Sequence, residues 1–219
     1  MATFFSVFRG QRNIMTVTLA IATLSIFGGM QDVPTIGAAL QSAIAGLVLF
    51  LVLPIMYCRI VLKEPLSSIG FGNTRWLPAL FWGVVSLGIG GIGLLFVAEN
   101  PVFKEAYRLP SVVEQSFLWF VAYEVIAVGG IALMYEVFFR GLVMKLWLSP
   151  LGIWSVFLQV LIFAGFLSLT GGLSWQYASL IYASFFSGLV AYFSGSLYAS
   201  WLVSWTLFFL IDIIFLAFR

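Results

Sequence analysis

The chain has 219 residues, of which 63% are hydrophobic and 8% are charged, with a formal net charge of +2 and a mean hydropathy of +1.13. Since about a quarter of the residues of a soluble domain are charged, this composition excludes a soluble protein and predicts a polytopic, all-α membrane bundle. The small net charge argues against a nucleic-acid partner, and the absence of histidine excludes the usual zinc sites and Ser-His or Cys-His catalysis. We therefore expect neither a metal nor a cofactor.

Apolar runs of about 20 residues, the length that crosses a bilayer, follow one another along the chain. The first comes after Arg9 and Arg12 and is too long for the hydrophobic region of a signal peptide, so we expect a retained span. The seven predicted spans are 14–30, 36–57, 77–98, 116–147, 151–169, 175–193 and 196–218. The sequence therefore predicts seven transmembrane helices, with eight as the alternative.

Two polar connections divide these spans. Residues 63–76 are rich in Gly, Pro and Asn, which mark turns, and we place a boundary here between an N-terminal transmembrane part, residues 1–75, and a core, residues 76–219. Residues 99–115 mix charged and apolar side chains, which predicts a short amphipathic helix along the membrane interface. Between the two connections, Gly88–Gly93 fits a dinucleotide-binding pattern, but an apolar span leaves no room for a βαβ unit, so close helix packing is the better interpretation.

The distribution of lysine and arginine predicts the orientation, because cytoplasmic loops carry an excess of these residues. With a cytoplasmic N-terminus, seven of the ten basic residues lie on the cytoplasmic side: Arg9, Arg12, Arg59, Lys63, Arg75, Arg140 and Lys145. The other three, Lys104, Arg108 and Arg219, lie outside. The sequence therefore predicts a multi-pass protein of the cell membrane with a cytoplasmic N-terminus, in direct contact with the lipid bilayer.

The fourth predicted span contains an acidic and a basic residue one helical turn apart, Glu136 and Arg140. Ionisable groups inside a membrane are expensive and have a functional or a pairing role. A glutamate four residues before a cation is in the favoured order for an ion pair on a helix. The simplest interpretation is that the two charges neutralise each other and fix a helix–helix contact, and catalysis by Glu136 is the alternative.

The sequence around this pair, Tyr-Glu-Val-Phe-Phe-Arg-Gly at residues 135–141, resembles the first motif of the CAAX protease and bacteriocin-processing (CPBP) family of intramembrane glutamate proteases, Glu-Glu-x-x-x-Arg. Val160–Leu169 resembles the family's Phe-x-x-x-His segment, with Phe163 kept, and residues 188–199 resemble the approach to its last motif, His-x-x-x-Asn. The resemblance lies within residues 116–208. It implies a CPBP-like helical core with a conical cavity open to membrane and cytosol, and cleavage of lipidated tails or peptide precursors, while some relatives are linked to bacteriocin immunity.

Four functional positions of the family have a different residue in this chain. Where the family has the Glu taken to activate water, this chain has Tyr135. Leu167 and Ser204 occupy the positions of the two His residues, and Phe208 occupies the position of the Asn. A tyrosine hydroxyl stays protonated near neutral pH and scarcely takes a proton from water. A serine without a histidine partner is not activated as a nucleophile. Glu136 and Arg140 alone survive, so the resemblance with these changes implies a pseudoenzyme.

Three further polar side chains lie inside predicted spans. Glu124 is about 16 Å along the helix axis from Tyr135, which is too far to act on the same water. Asp212 lies on the stripe of the lost histidine, two turns further on, and we interpret it as a buried polar contact. We interpret Gln159 as an interhelical hydrogen-bond partner.

We therefore predict a CPBP-like membrane protein with an inactive or strongly impaired site and a binding, immunity or scaffold role. Its expected partner is a membrane-embedded or lipidated peptide or a membrane protein. The alternative is an active intramembrane endopeptidase that uses Glu136. A small transporter is a third hypothesis, and it is weaker because no inverted repeat is visible in the sequence.

Overall fold

The computed structural model describes residues 2–29, 36–72, 74–171 and 175–217, and every regular element in these ranges is helical, which confirms the all-α class. In chain order the helices are α1 (Ala2–Gly28), α2 (residues 36–61), α3 (Trp76–Glu99), α4 (Pro101–Ala106), α5 (Ser111–Gln115), α6 (Phe117–Leu151), α7 (Trp154–Gly171), α8 (Ala178–Ser194) and α9 (Leu197–Ala217). Short 3-10 turns occupy Leu66–Ile69 and Trp175–Tyr177. Three positions used in the sequence predictions, Met30, Phe218 and Arg219, lie outside the described residues.

Four of these helices are long and apolar enough to cross a membrane, namely α3, α6, α9 and the segment Leu40–Val61 of α2. The apolar segments Asn13–Gly28, Trp154–Thr170 and Ala178–Ser194 are shorter. Large apolar side chains such as Leu77, Phe96 and Ile126 point outward and are exposed. Such a surface is unfavourable in water and matches the hydrocarbon of a bilayer, so the helices fit a membrane environment.

Helix ends follow local signals in the sequence. Asn100 caps α4, because its side-chain oxygen accepts hydrogen bonds from the backbone N–H groups of Val102 and Phe103 at 2.9 and 3.3 Å. Gly195 ends α8 in the left-handed conformation, with φ of 69°. The predicted end of α6 at Trp147 was wrong by four residues, because the chain stays helical until Gly152, whose φ of 54° ends it.

Helix α6 combines α-helical turns with two π-helical segments, Tyr123–Val128 and Glu136–Met144, of which the second lies at the centre of the bundle. All nine side chains of the second segment are buried. A helix that is buried on every side is surrounded by other helices rather than by lipid. Single π-helical turns inside α-helices are common at functional sites, and this one contains both charged residues of the motif.

Two apolar clusters flank α6. On one side, aromatic rings of α2, α6 and α7 pack edge to face, with centroid distances of 5.0 Å for Phe50 and Phe138 and 4.9 Å for Phe139 and Phe163. On the other side, side chains of α3, α8 and α9 form a second cluster that includes Leu94, Phe186, Val190, Val203 and Leu207. The contacts of Phe50 join the N-terminal part to the core, and the proposed boundary at residue 75 stays a prediction.

The glycine string of α3 lies against α8 and α9. A Cβ atom at Gly93 would come within 1.7 Å of the Tyr182 hydroxyl, and one at Gly90 within 3.0 Å of Leu207. At Gly88 a Cβ atom would meet nothing within 4 Å. The absence of a side chain at Gly90 and Gly93 therefore permits the close approach of α3 to α8 and α9.

We predict that Gly93→Ala destabilises the protein relative to Gly88→Ala by about 1–3 kcal/mol. Tyr182 must move to admit the new methyl group and then loses its 3.2 Å hydrogen bond to the Ile89 carbonyl. Both substitutions bring the same gain in helix propensity, so their difference reports packing alone. The measurement is thermal unfolding of the two purified variants in detergent, and equal midpoints would contradict a packed interface between α3 and α8.

Candidate functional site

Helices α6, α8 and α9 enclose one buried polar cluster. Glu136 and Arg140 of α6 are 0% and 4% exposed. Ser187 of α8 and Ser200 of α9 lie beside them and are also buried. Charged groups so far from water need partners, because their desolvation costs several kcal/mol per ion.

Arg140 connects α6 to α8. Its Nη1 lies 3.5 Å from Oε1 of Glu136. Its Nη2 donates hydrogen bonds to the Ser184 carbonyl at 2.9 Å and to the Ser187 hydroxyl at 2.5 Å. The guanidinium therefore joins the ion pair on its own helix to backbone and side-chain acceptors on the neighbouring helix.

Glu136 connects α6 to α9. Its Oε2 accepts a hydrogen bond from the Ser200 hydroxyl, which also lies 2.8 Å from the Ser187 carbonyl. Among the described residues no donor hydrogen-bonds to Glu136 Oε1, so that oxygen is balanced by the charge of Arg140 alone. The carboxylate is therefore held between two helices and is not presented to an open space.

Gln159 brings α7 into the same network. Its side-chain amide donates to the Ser184 carbonyl at 3.1 Å, and the Ser184 hydroxyl donates back to the amide oxygen at 3.4 Å. A Cβ atom at Gly188 would lie 2.8 Å from the amide nitrogen of Gln159. Glycine at position 188 therefore makes room for this interhelical contact.

Most of the positions that resemble the CPBP motifs meet around one small cavity, lined by Ala132, Tyr135, Glu136, Arg140, Phe163, Leu180, Ser184, Ser204 and Phe208. Its volume is about 10 Å³, which is at the lower limit for a single water molecule. Leu167 does not line this cavity and packs in the aromatic cluster instead. The arrangement has no room for a peptide chain.

Tyr135, Ser204 and Phe208 fill or close the cavity. The ring of Tyr135 packs edge to face against Phe163, with centroids 5.1 Å apart. Ser204 donates its hydroxyl proton to the Trp201 carbonyl in its own helix at 3.0 Å, so it is engaged with the backbone rather than poised as a nucleophile. Phe208 is buried and contributes a ring where a polar group would be needed.

A second buried polar cluster lies apart from the first. Glu124 of α6 and Asp212 of α9 are each 2% exposed, and their carboxyl groups face each other. Tyr107, in the link between α4 and α5, donates a hydrogen bond to Asp212. Burial and the Asp212 carboxylate raise the pKa of Tyr107 above its ordinary value, so its hydroxyl remains a donor.

A larger cavity opens at the end of α6. Its volume is about 590 Å³, and it is lined by Asn13, Thr16, Leu62, Glu64, Ile69, Gly141, Leu142, Lys145, Leu146, Ser149 and Pro150. Nζ of Lys145 forms an ion pair with Glu64 at 2.7 Å in its wall. Gly141 directly follows Arg140, so this cavity begins where the buried ion pair ends. Its volume lies within the range of ligand pockets.

Sequence reasoning missed the serines that bind the ion pair. A usable signal was present, because α8 carries Ser184 and Ser187 three residues apart, and Ser196, directly before α9, is followed by Ser200 and Ser204 in α9. Spacings of three and four place polar groups on one helix face. A polar stripe in a membrane helix is a candidate partner for a buried charge.

No family model, curated protein or solved structure matches the chain. The CPBP resemblance therefore depends on the motif residues alone. Six of these residues, namely Tyr135, Glu136, Arg140, Phe163, Ser204 and Phe208, line the same small cavity.

We predict that Glu136→Gln and Arg140→Leu destabilise the protein by amounts that do not add. Removing either member leaves the other charge buried without its partner, which costs about 3–5 kcal/mol, whereas the double variant removes both charges. A coupling energy of about 0.5–3 kcal/mol is expected from a double-mutant cycle scored by unfolding in detergent.

The matched control is Arg108→Leu, because Arg108 is exposed and donates only to nearby backbone carbonyls. This substitution should change stability by less than about 0.5 kcal/mol. Strict additivity of the Glu136 and Arg140 substitutions would contradict the paired arrangement.

Proposed function

We propose that the protein is a CPBP-like membrane protein that has lost hydrolytic activity and acts by binding a membrane-embedded or lipidated peptide. The observation that supports this proposal most strongly is the filled motif cavity of about 10 Å³ beside Glu136. Peptide hydrolysis needs space for a scissile bond and an attacking water in near-attack geometry. A cavity of this size admits at most one water molecule.

The chemistry of the lining residues supports the same proposal. Hydrolysis needs a group that takes a proton from water and fixed donors for the oxyanion, and the loss of one such donor typically costs about 10²–10³ in rate. Glu136 is engaged by Arg140 and Ser200, and Ser204 by a backbone carbonyl. These hydrogen bonds and the ion pair stabilise the bundle. They leave neither Glu136 nor Ser204 free to take a proton from water.

The 590 Å³ cavity is the proposed binding site for the peptide. Leu62, Leu142 and Leu146 supply apolar walls for a lipid chain or apolar side chain. The ion pair of Lys145 and Glu64 supplies one donor and one acceptor for a peptide backbone. The lining therefore mixes apolar side chains with polar groups that can fix the orientation of a ligand.

We also propose seven membrane spans with a cytoplasmic N-terminus. The four long apolar helices and the three shorter apolar segments supply seven candidate spans in the described part of the chain. The excess of lysine and arginine in alternate connections supports the orientation. In this topology the 590 Å³ cavity faces the cytoplasm, because Lys145 lies at the cytoplasmic end of α6.

The topology predicts that reporter fusions after Lys63 and after Val102 lie on opposite sides of the membrane, because α3 crosses between them. A third fusion at Gly152 should report the same side as Lys63, since α6 returns the chain to the cytoplasm. The measurement is the activity of a paired cytoplasmic and external reporter at each position. Cytoplasmic signals at both Lys63 and Val102 would show that the second or third span is wrong.

The loss of hydrolysis predicts that the purified protein in lipid vesicles leaves lipidated and unlipidated test peptides intact. Glu136→Gln should lower stability without changing turnover, because its carboxylate serves the ion pair. The readout is peptide cleavage followed by mass spectrometry. Turnover that disappears in a folded Glu136→Gln variant would contradict the proposal and favour the endopeptidase alternative.

The complementary variant restores the family residues: Tyr135→Glu, Leu167→His, Ser204→His and Phe208→Asn. If only the four side chains block catalysis, this variant should gain activity. If it is folded but inert, the scaffold itself has changed, which is consistent with the position of Leu167 outside the motif cavity. Either result leaves the wild-type assay as the test of the proposed function.

A further inference from the structure

We propose that Glu124 and Asp212 form an intramembrane proton-binding site in which the two buried carboxyl groups share one proton. This site is separate from the Glu136–Arg140 cluster and does not depend on the function proposed above. It joins α6 to α9 through residues that are 88 positions apart in the chain.

The geometry leaves Glu124 without a donor if both groups are ionised. Its side chain is 2% exposed, and among the described residues neither of its carboxyl oxygens has a hydrogen-bond partner. Its electrostatic neighbour is the carboxyl group of Asp212, which is equally buried. A proton on Glu124 converts two repelling acceptors into a donor and an acceptor.

The charge balance favours the same conclusion. In the described part of the chain, neither carboxyl group forms an ion pair with a lysine or arginine, since the two recorded pairs are Arg140 with Glu136 and Lys145 with Glu64. Two like charges in contact and away from water cannot both be ionised at neutral pH. The pair therefore has to take up a cation, and a proton is the smallest one.

Two tyrosines complete the surroundings of the pair. Tyr107, in the link between α4 and α5, donates a hydrogen bond to Asp212. Tyr123, the neighbour of Glu124 on α6, lies close enough to both carboxyl groups to interact with their charge. Because Tyr107 donates to Asp212, Asp212 is the acceptor of the pair and Glu124 is the residue that carries the shared proton.

A metal ion suits this site less well than a proton. Hard cations such as Ca²⁺ take six to eight oxygen ligands, and the described residues contain no group of three or more metal-binding side chains. A hydrogen bond between two carboxyl groups needs no added volume. A single proton gives one buried oxygen of Glu124 a hydrogen-bond partner on Asp212.

The direct test is infrared spectroscopy of the full chain in lipid vesicles at neutral pH. Exposed carboxyl groups have an ordinary pKa of about 4 and are ionised there, so the carboxylic C=O stretch reports buried protonated acids. We expect a signal equivalent to one carboxyl group in the wild type and its loss in Glu124→Gln. The matched control Glu105→Gln changes an exposed residue of α4 and should leave the signal unchanged.

Thermal unfolding as a function of pH gives a second readout. Deprotonation at alkaline pH leaves two carboxylates facing each other, so the wild-type midpoint should fall as pH rises. Glu124→Gln keeps a donor for Asp212 and should fold with a flatter pH dependence. Absence of the carboxylic signal in the wild type, or its persistence in Glu124→Gln, would overturn the proposal. If sodium chloride in place of choline chloride abolishes the wild-type signal, the site binds sodium and the proton proposal is wrong.

Discussion

The rest of the structure depends on the burial of one ion pair inside an apolar bundle. Glu136 and Arg140 are almost completely shielded from solvent, and the attraction between them compensates for lost hydration only when further hydrogen bonds satisfy both groups. Those hydrogen bonds come from Ser184, Ser187 and Ser200, on two other helices. The ion pair therefore fixes the relative positions of α6, α8 and α9.

The same constraint accounts for the closed cavity beside the pair. A water-filled cavity would solvate the two charges and weaken the contacts that hold the helices. Aromatic rings exclude water on this side, where Tyr135 packs against Phe163 and Phe208 also lines the cavity. A low-dielectric surrounding strengthens the electrostatic contacts that remain. The aromatic rings of Tyr135 and Phe208 therefore keep water away from the ion pair.

The helices could be predicted from the sequence because each one repeats a local signal. Apolar runs of about 20 residues gave the main helices, and the spacing of Glu136 and Arg140 gave the ion pair. The end of α6 was predicted at Trp147, ahead of Pro150, whereas Pro150 lies inside the helix and the positive φ of Gly152 ends it. A proline late in a helix is a weaker signal than a glycine that leaves the right-handed region.

The tertiary partners could not be predicted in the same way. Glu124 and Asp212, as well as Glu136 and Ser200, come from helices that are distant in the chain. Their contact depends on how α9 packs against α6. The periodicity of one helix does not show how that helix is rotated about its own axis relative to its neighbour. Gln159 was predicted to be an interhelical hydrogen-bond partner, but the residue that it binds on α8 could not be identified from the sequence.

The burial of the ion pair can be tested by an experimental structure of the protein in a lipid nanodisc. We expect Arg140 within hydrogen-bond distance of Ser184 and Ser187, Glu136 bound to Ser200, and a motif cavity with space for no more than one water molecule. A water-filled opening beside Tyr135, with Glu136 turned toward it and away from Arg140, would show that the pair does not hold the helices together.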